Sequence, residues 1–138
     1  MARVVIIEDH EDLVEAYRLA LEKAGHTVCG SHVDPLAVLT APADGTPVDL
    51  VLLDERLGPE SGTAYLPQIR RRFQGAMVMV VSADIRAADR AVALGADGAR
   101  AKPLTMDELN AAVRELLAGP STARAAAGRR PRASPLGR

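Results

Sequence analysis

A chain of 138 residues, 48% hydrophobic but only 2% aromatic, has the aliphatic side chains for one domain core and too few rings for a base-stacking nucleic-acid surface. The single cysteine, Cys29, excludes an internal disulfide, and nothing resembles a signal peptide or membrane span, so a reducing, cytoplasmic setting without a membrane partner is expected. The net charge of −1 hides a division: residues 1–118 hold all 18 acidic residues against 12 of the 17 basic ones, a net −6, while the last twenty hold the other five arginines, a net +5.

Arg3-Val4-Val5-Ile6-Ile7 is a short apolar run closed by Glu8-Asp9, the pattern of a strand ending in two acids. Leu13, Ala16, Tyr17, Ala20, Leu21 and Ala24 then fall on one helix face, with Gly25 as the stop. Thr27 to Ser31 reads as a weaker strand near a sheet edge, and Asp34-Pro35 can open a short helix through Leu39. Thr40 to Pro47 is a loop. Four consecutive aliphatic residues, Leu50 to Leu53, predict a strand buried on both faces, with Asp54 at its end.

The next helix is expected from about Ser61 to Phe73, with Leu66 and Ile69 inward and Arg70-Arg71-Arg72 in water; Pro67 fits only if the helix starts late or kinks there. Met77 to Val81 is another buried strand, and Ser82 stands at its end. Asp84 can cap a helix running to Leu94, with Gly95 ending it. A fifth strand fits Gly98 to Ala101, followed by Lys102-Pro103. Thr105-Met106-Asp107-Glu108 matches a capping box, before a helix whose inner face is Leu109, Ala112, Val113, Leu116 and Leu117. Beyond Leu117 no hydrophobic period survives, so residues 119–138 read as a disordered Arg/Ala/Pro-rich tail after a domain at 1–118. Strands separated by single helices imply right-handed crossovers and a parallel α/β sheet covered on both faces.

In such a sheet the strand ends share one crevice. Glu8 and Asp9, Asp54, Ser82 and Lys102 all fall there. Three carboxylates repel one another, and a hard divalent cation with oxygen ligands relieves this; Mg²⁺ fits best. A lysine and a hydroxyl nearby can bind the oxygens of a phosphoryl group carried by Asp54, whose carboxylate is then a nucleophile. Each residue alone has a plainer reading: Asp54 or Ser82 as a cap, Lys102 as a surface lysine. Their joint register carries the chemistry.

The motifs Ile7-Glu8-Asp9-His10, Leu52-Leu53-Asp54-Glu55-Arg56-Leu57, Ser61-Gly62, Val81-Ser82-Ala83, Gly95-Ala96-Asp97-Gly98 and Lys102-Pro103-Leu104 together resemble the receiver domain of two-component response regulators over about residues 2–118. The resemblance implies a flavodoxin-like, five-stranded parallel sheet of order 2-1-3-4-5. It implies that Asp54 accepts phosphate from a histidine kinase or a histidine phosphotransfer protein. Asp9 would bind Mg²⁺ directly and Glu8 through water, with Asp54 and the Arg56 backbone carbonyl completing the protein ligands. Ser82 and Lys102 would hold the phosphoryl group, and the Lys102-Pro103 bond would be cis.

Two departures stand out. Where the family usually has Tyr or Phe, three residues before the lysine, this chain has Ala99, so an aromatic switch is absent. Gly58-Pro59 reverses the more usual Pro-Gly order. Arg56 and Asp84 occupy positions that tune dephosphorylation in the family, and their opposite charges suggest an ion pair across the crevice. His10 is expected at the surface rather than on the metal, and His26 and His32 in solvent.

The leading expectation is a stand-alone phosphoacceptor that signals through contacts with a downstream protein, a second copy of the chain being one candidate partner. Specific DNA binding by this chain alone is not expected. The alternatives are an adaptor that acts without phosphorylation, or the receiver part of a longer regulator. A separate enzymatic activity, such as an aspartyl-phosphate phosphatase, is disfavoured because the position two residues after Asp54 holds Arg56 and not a second acid.

Overall fold

The structure, a computed structural model, describes residues 1–32, 35–40 and 47–119. The loop expected over 40–47 and the tail expected after Gly119 fall almost wholly outside these residues, as does the side chain of His32.

Five parallel strands form one sheet: β1 (Arg3–Ile7), β2 (Thr27–His32), β3 (Leu50–Asp54), β4 (Met77–Ser82) and β5 (Gly98–Ala101), in the order β2-β1-β3-β4-β5. Helices α1 (Glu11–Lys23), α2 (Pro35–Thr40), α3 (Leu66–Arg72) and α4 (Ile85–Ala93) fill the four crossovers, and α5 (Met106–Ala118) follows the last strand. The order reverses at β1, so the edges of β1 and β3 form the switch point at which such sheets bind ligands.

The alternation of side chains along each strand builds two cores. Val4, Ile6, Leu50, Leu52, Met79 and Val81 face α1 and α5, meeting Tyr17, Ala20, Leu21, Leu109, Ala112 and Val113. Val5, Ile7, Val51, Leu53, Val78 and Val80 face the other way, onto Val38, Leu66, Ile69, Ala91 and Ala96. All five residues of β3 are buried, as the unbroken aliphatic run requires of a central strand. β2 is an edge strand, and its register against β1 shifts between Val4 and Val5.

The first helix turn after β3 is where the chain departs from its periodicity. Residues 62–65 form a 3-10 turn, and α3 begins only at Leu66, placing Pro67 in its first turn, where the missing N–H costs nothing. Helix α4 is capped by Asp84, whose carboxylate accepts from Arg86 N at 2.9 Å. Thr105 and Glu108 form the reciprocal capping box of α5, at 2.8 and 3.0 Å. The Lys102-Pro103 peptide is cis.

Arg70 is not a solvated helix end. Its guanidinium donates to Ala76 O at 3.2 Å, to Gly95 O and to Asp97 Oδ2 at 2.7 Å. Asp97 Oδ2 also accepts from Val78 N at 2.8 Å, so one ion pair ties the end of α3 to the start of β4 and the turn before β5. His26 is likewise not free, because Nδ1 accepts from Ala2 N at 3.0 Å. Among the described residues no helix is long and apolar enough to cross a membrane.

Candidate functional site

The carboxyl ends of β1, β3 and β4 and the segment after β5 converge on an open crevice of about 570 Å³ lined by Asp54, Arg56, Ser82, Asp84, Arg90 and Lys102, among others. Asp54 is the last residue of β3 and is 4% exposed. Glu8, one residue beyond β1, is 1% exposed. Neither acid could be so placed in isolation, since an unpaired buried carboxylate is costly. Lys102 resolves this: Nζ lies 2.9 Å from Asp54 Oδ1 and 3.2 Å from Glu8 Oε1.

The charges shape one another's titration. Burial, then the charge of Asp54, pushes the Glu8 carboxyl above its usual value of 4.5, against the pull of Lys102. Burial would depress the Lys102 ammonium, but its hydrogen bond to Asp54 and the charges of Asp54 and Glu8 outweigh it, so Lys102 is held above 10.5. For Asp9, too, burial works upward, and the hydrogen bond from Gly58 with the contributions of Glu8 and His10 overrides it, leaving the carboxyl below 3.8. Beneath these groups Tyr17 of α1 is buried; burial raises its phenol, and the charges of Lys102, Glu8 and Asp54 reach it.

The segment after Asp54 is a miniature hairpin. Arg56-Leu57 pairs antiparallel with Glu60-Ser61 around Gly58-Pro59. Gly58 has φ +63; a proline at the second turn position fixes a negative φ there, which selects the hairpin turn that takes glycine first. The reversed Gly-Pro order thus has a structural result, a tight two-residue turn. Its Gly58 N–H donates to Asp9 Oδ2 at 2.9 Å.

Glu55 anchors the hairpin's far side. Its carboxylate accepts from Ser61 Oγ at 2.7 Å, from Thr63 N at 3.1 Å and from Thr63 Oγ1, and its carbonyl accepts from Gly62 N at 2.6 Å. Sequence reasoning quoted Glu55 only as part of a motif; the signal that could have exposed it is the pair of hydroxyls at 61 and 63.

Ser82, 4% exposed, ends β4 beside the crevice and its Oγ accepts from Asp84 N at 3.0 Å. Lys102 N donates to Ser82 O at 2.8 Å, linking the two. Arg56 and Asp84 both line the crevice, but among the described residues no ion pair joins them, Asp84 being committed to the α4 terminus. Arg90 of α4 lines it as well, a cation that sequence reasoning did not place there. Ala99 lies beside Val80 of β4, half-buried against the second core.

For a metal, Glu8 and Asp9 supply hard oxygen donors within 4.8 Å of each other, and the carboxylate of Asp54 stands across Lys102 from Glu8. Asp9 Oδ1 is buried without a hydrogen-bond partner and so is free to accept from a cation. These residues fit Mg²⁺.

The sequence pattern described as the response regulator receiver domain matches residues 4–114. RegX3 of Mycobacterium tuberculosis, a sensory transduction protein, is 35% identical over 119 residues, covering 85% of this chain and 51% of that protein. The transcriptional regulatory protein TcrA of the same organism is 32% identical over 120 residues, covering 83% and 45%. The chain spans about half the length of these curated relatives. Among solved structures, a CheY-like receiver from Methanospirillum hungatei superposes with a TM-score of 0.70 at 22% identity, covering 86% of this chain and 94% of that one. TrrA of Thermotoga maritima, solved with Mg²⁺ and BeF, gives 0.71 at 23%, covering 84% and 99%.

A parallel sheet of this order with an acid-lysine crevice at its switch point has the architecture of the CheY-like receiver fold. The chain belongs to the response regulator receiver domain family of two-component systems.

Proposed function

We propose that this chain is a phosphoacceptor: an Asp54 carboxylate oxygen attacks the phosphorus of a phosphohistidine on a kinase or phosphotransfer protein, the O–P bond forms, the N–P bond breaks, and the donor imidazole keeps the electron pair. The observation that carries this reading is Asp54 itself, buried at the end of the central strand with Lys102 Nζ 2.9 Å from Oδ1. A buried carboxylate facing one ammonium at an open crevice is poised to exchange that partner for a phosphoryl group.

Glu8, Asp9 and Asp54, with the Arg56 backbone carbonyl, would hold Mg²⁺, which when bound supplies positive charge for the phosphoryl oxygens. Lys102 stays within reach of the same oxygens, and the Ser82 hydroxyl can donate to them. Arg56 and Asp84, which both line the crevice, would govern how easily water reaches the acyl phosphate. The downstream partner is a protein that reads the face around β5. Domain limits of 1–118 belong to this proposal too.

A second reading is favoured by the length of the relatives: the sequence would be the receiver part of a longer regulator, as in RegX3, of which it covers 51%.

The test is intact-mass analysis after incubation with a small-molecule phosphodonor and Mg²⁺. One added phosphate in the wild type, absent in Asp54→Ala, is the expected result. No added mass on the folded protein with Mg²⁺ present, or the same added mass in the variant, overturns the assignment.

A further inference from the structure

His10 stands at the N-cap of α1, where Ser, Thr, Asp or Asn normally accepts from the first free N–H groups of the helix. Its ring makes no capping hydrogen bond. Instead, Nδ1 is turned onto the acid pair, 3.3 Å from Asp9 Oδ1 and 3.4 Å from Glu8 Oε2. One donor atom from each of the three residues fits within a 4.8 Å span.

The Glu8 contact is a long hydrogen bond beside the 3.2 Å one from His10 N to the same oxygen, and both ring separations exceed the ~2.9–3.0 Å at which N–H···O bonds centre. They match the roughly 3.0–3.4 Å between neighbouring donors on a cation bound at about 2.1 Å. Asp9 Oδ1, the atom facing the ring, is one of two buried side-chain acceptors without a hydrogen-bond partner among the described residues, although the Asp9 side chain as a whole is 27% exposed. The ring is 73% exposed, so it can close the remaining distance at little packing cost and leaves the ion a path from solvent.

We propose that His10 supplies a nitrogen ligand to the receiver's cation site and biases it from Mg²⁺ toward a later first-row transition ion such as Co²⁺. This rests on the receiver reading, in which the acids hold a divalent cation. Mg²⁺ prefers oxygen and gives up water reluctantly, so an imidazole adds little to its binding. The later first-row ions take imidazole readily, so the same ring adds much to theirs. The acid pair supplies charge, and His10 supplies discrimination.

The experiment is calorimetric titration of the full chain with Co²⁺ and with Mg²⁺, wild type against His10→Ala, together with pulsed electron paramagnetic resonance of the Mn²⁺ complex. The expected result is Co²⁺ affinity weakened by about tenfold or more in the variant, the low end of what losing a supporting group costs at metal sites, with Mg²⁺ affinity within about twofold. Nitrogen hyperfine modulation of Mn²⁺ should be present in the wild type and absent in His10→Ala, which excludes His26 and His32 as its source. Equal Co²⁺ affinities, equal losses for both ions, or no nitrogen modulation overturns the inference, and if Asp54 still takes phosphate with Mg²⁺ the receiver reading survives it. If neither ion binds and Asp54 takes no phosphate, both fall together.

Discussion

Gly62 lies directly against the backbone carbonyl of Asp54: a Cβ built on Gly62 would overlap that oxygen and stand 3.2 Å from Leu53 Cδ1. The close approach is what lets the turn after the hairpin fold back over the end of β3. Gly62→Ala must push the two segments apart, and overpacking of this kind costs about 1–3 kcal/mol. Urea unfolding should show a lowered midpoint, and phosphate uptake at Asp54 should slow because the acid moves with the strand end. An unchanged midpoint would mean the turn can shift freely.

Lys102 separates two buried acids. Lys102→Ala leaves Glu8 and Asp54 facing each other without a counter-charge, a situation that costs ~3–5 kcal/mol in a dry interior. With the lysine 19% exposed, partial solvation reduces the expected loss to about 1–3 kcal/mol. Millimolar Mg²⁺ should restore part of it, read as a rise in melting temperature larger in the variant than in the wild type.

Arg70 supplies the clearest contrast among neighbours. Arg70→Ala removes donors to Ala76, Gly95 and Asp97 and should cost about 1–2 kcal/mol, reduced from the range for charged hydrogen bonds because the side chain is 34% exposed. The exposed Arg71→Ala should stay within ~0.5 kcal/mol of wild type. Parallel urea titrations of the two variants decide it.

His26 gives a pH dependence of known sign. Burial first, and then the charge of the N-terminal amine, hold its imidazole below 6.5. As pH falls the unfolded chain therefore takes the proton before the folded one, so the His26 contribution is fully present above about pH 6.5 and is lost as pH drops through and below that value. The Ala2 N–H bond to Nδ1 requires the neutral ring. The stability difference between wild type and His26→Gln should shrink on going from pH 7.5 to 5.5; a constant difference would remove the effect.

Three strands were legible as aliphatic runs, while β2 and β5 were placed by the turn residues and helices around them; β1 and β5 fall on the expected residues. Glu8, Asp9, Asp54, Ser82 and Lys102 converge because topology alone sends strand ends to one edge. Features set by a single side chain far off in sequence were not legible. Pro67 already restricts α3 to a late start or a kink, but the hold of Glu55 on Ser61 and Thr63 is encoded by no periodicity. The hairpin has two residues on each side, too few to show alternation, and only Gly58-Pro59 marks it. Arg70 reads as a wet helix end until the fold brings Asp97 to it; His10 is the surface residue expected, 73% exposed, and only the turn of its ring toward the acids was not legible.

The scarcity of rings has an optical consequence. The chain has no tryptophan and two tyrosines. Tyr17 lies buried beneath the acid-lysine group, within reach of its charges, and Tyr65 ends the turn that starts at Gly62. With no indole to mask it, tyrosine emission dominates the near ultraviolet, and the share from Tyr17 arises directly beneath the acid-lysine group, so the natural chain carries its own reporter of charge changes there.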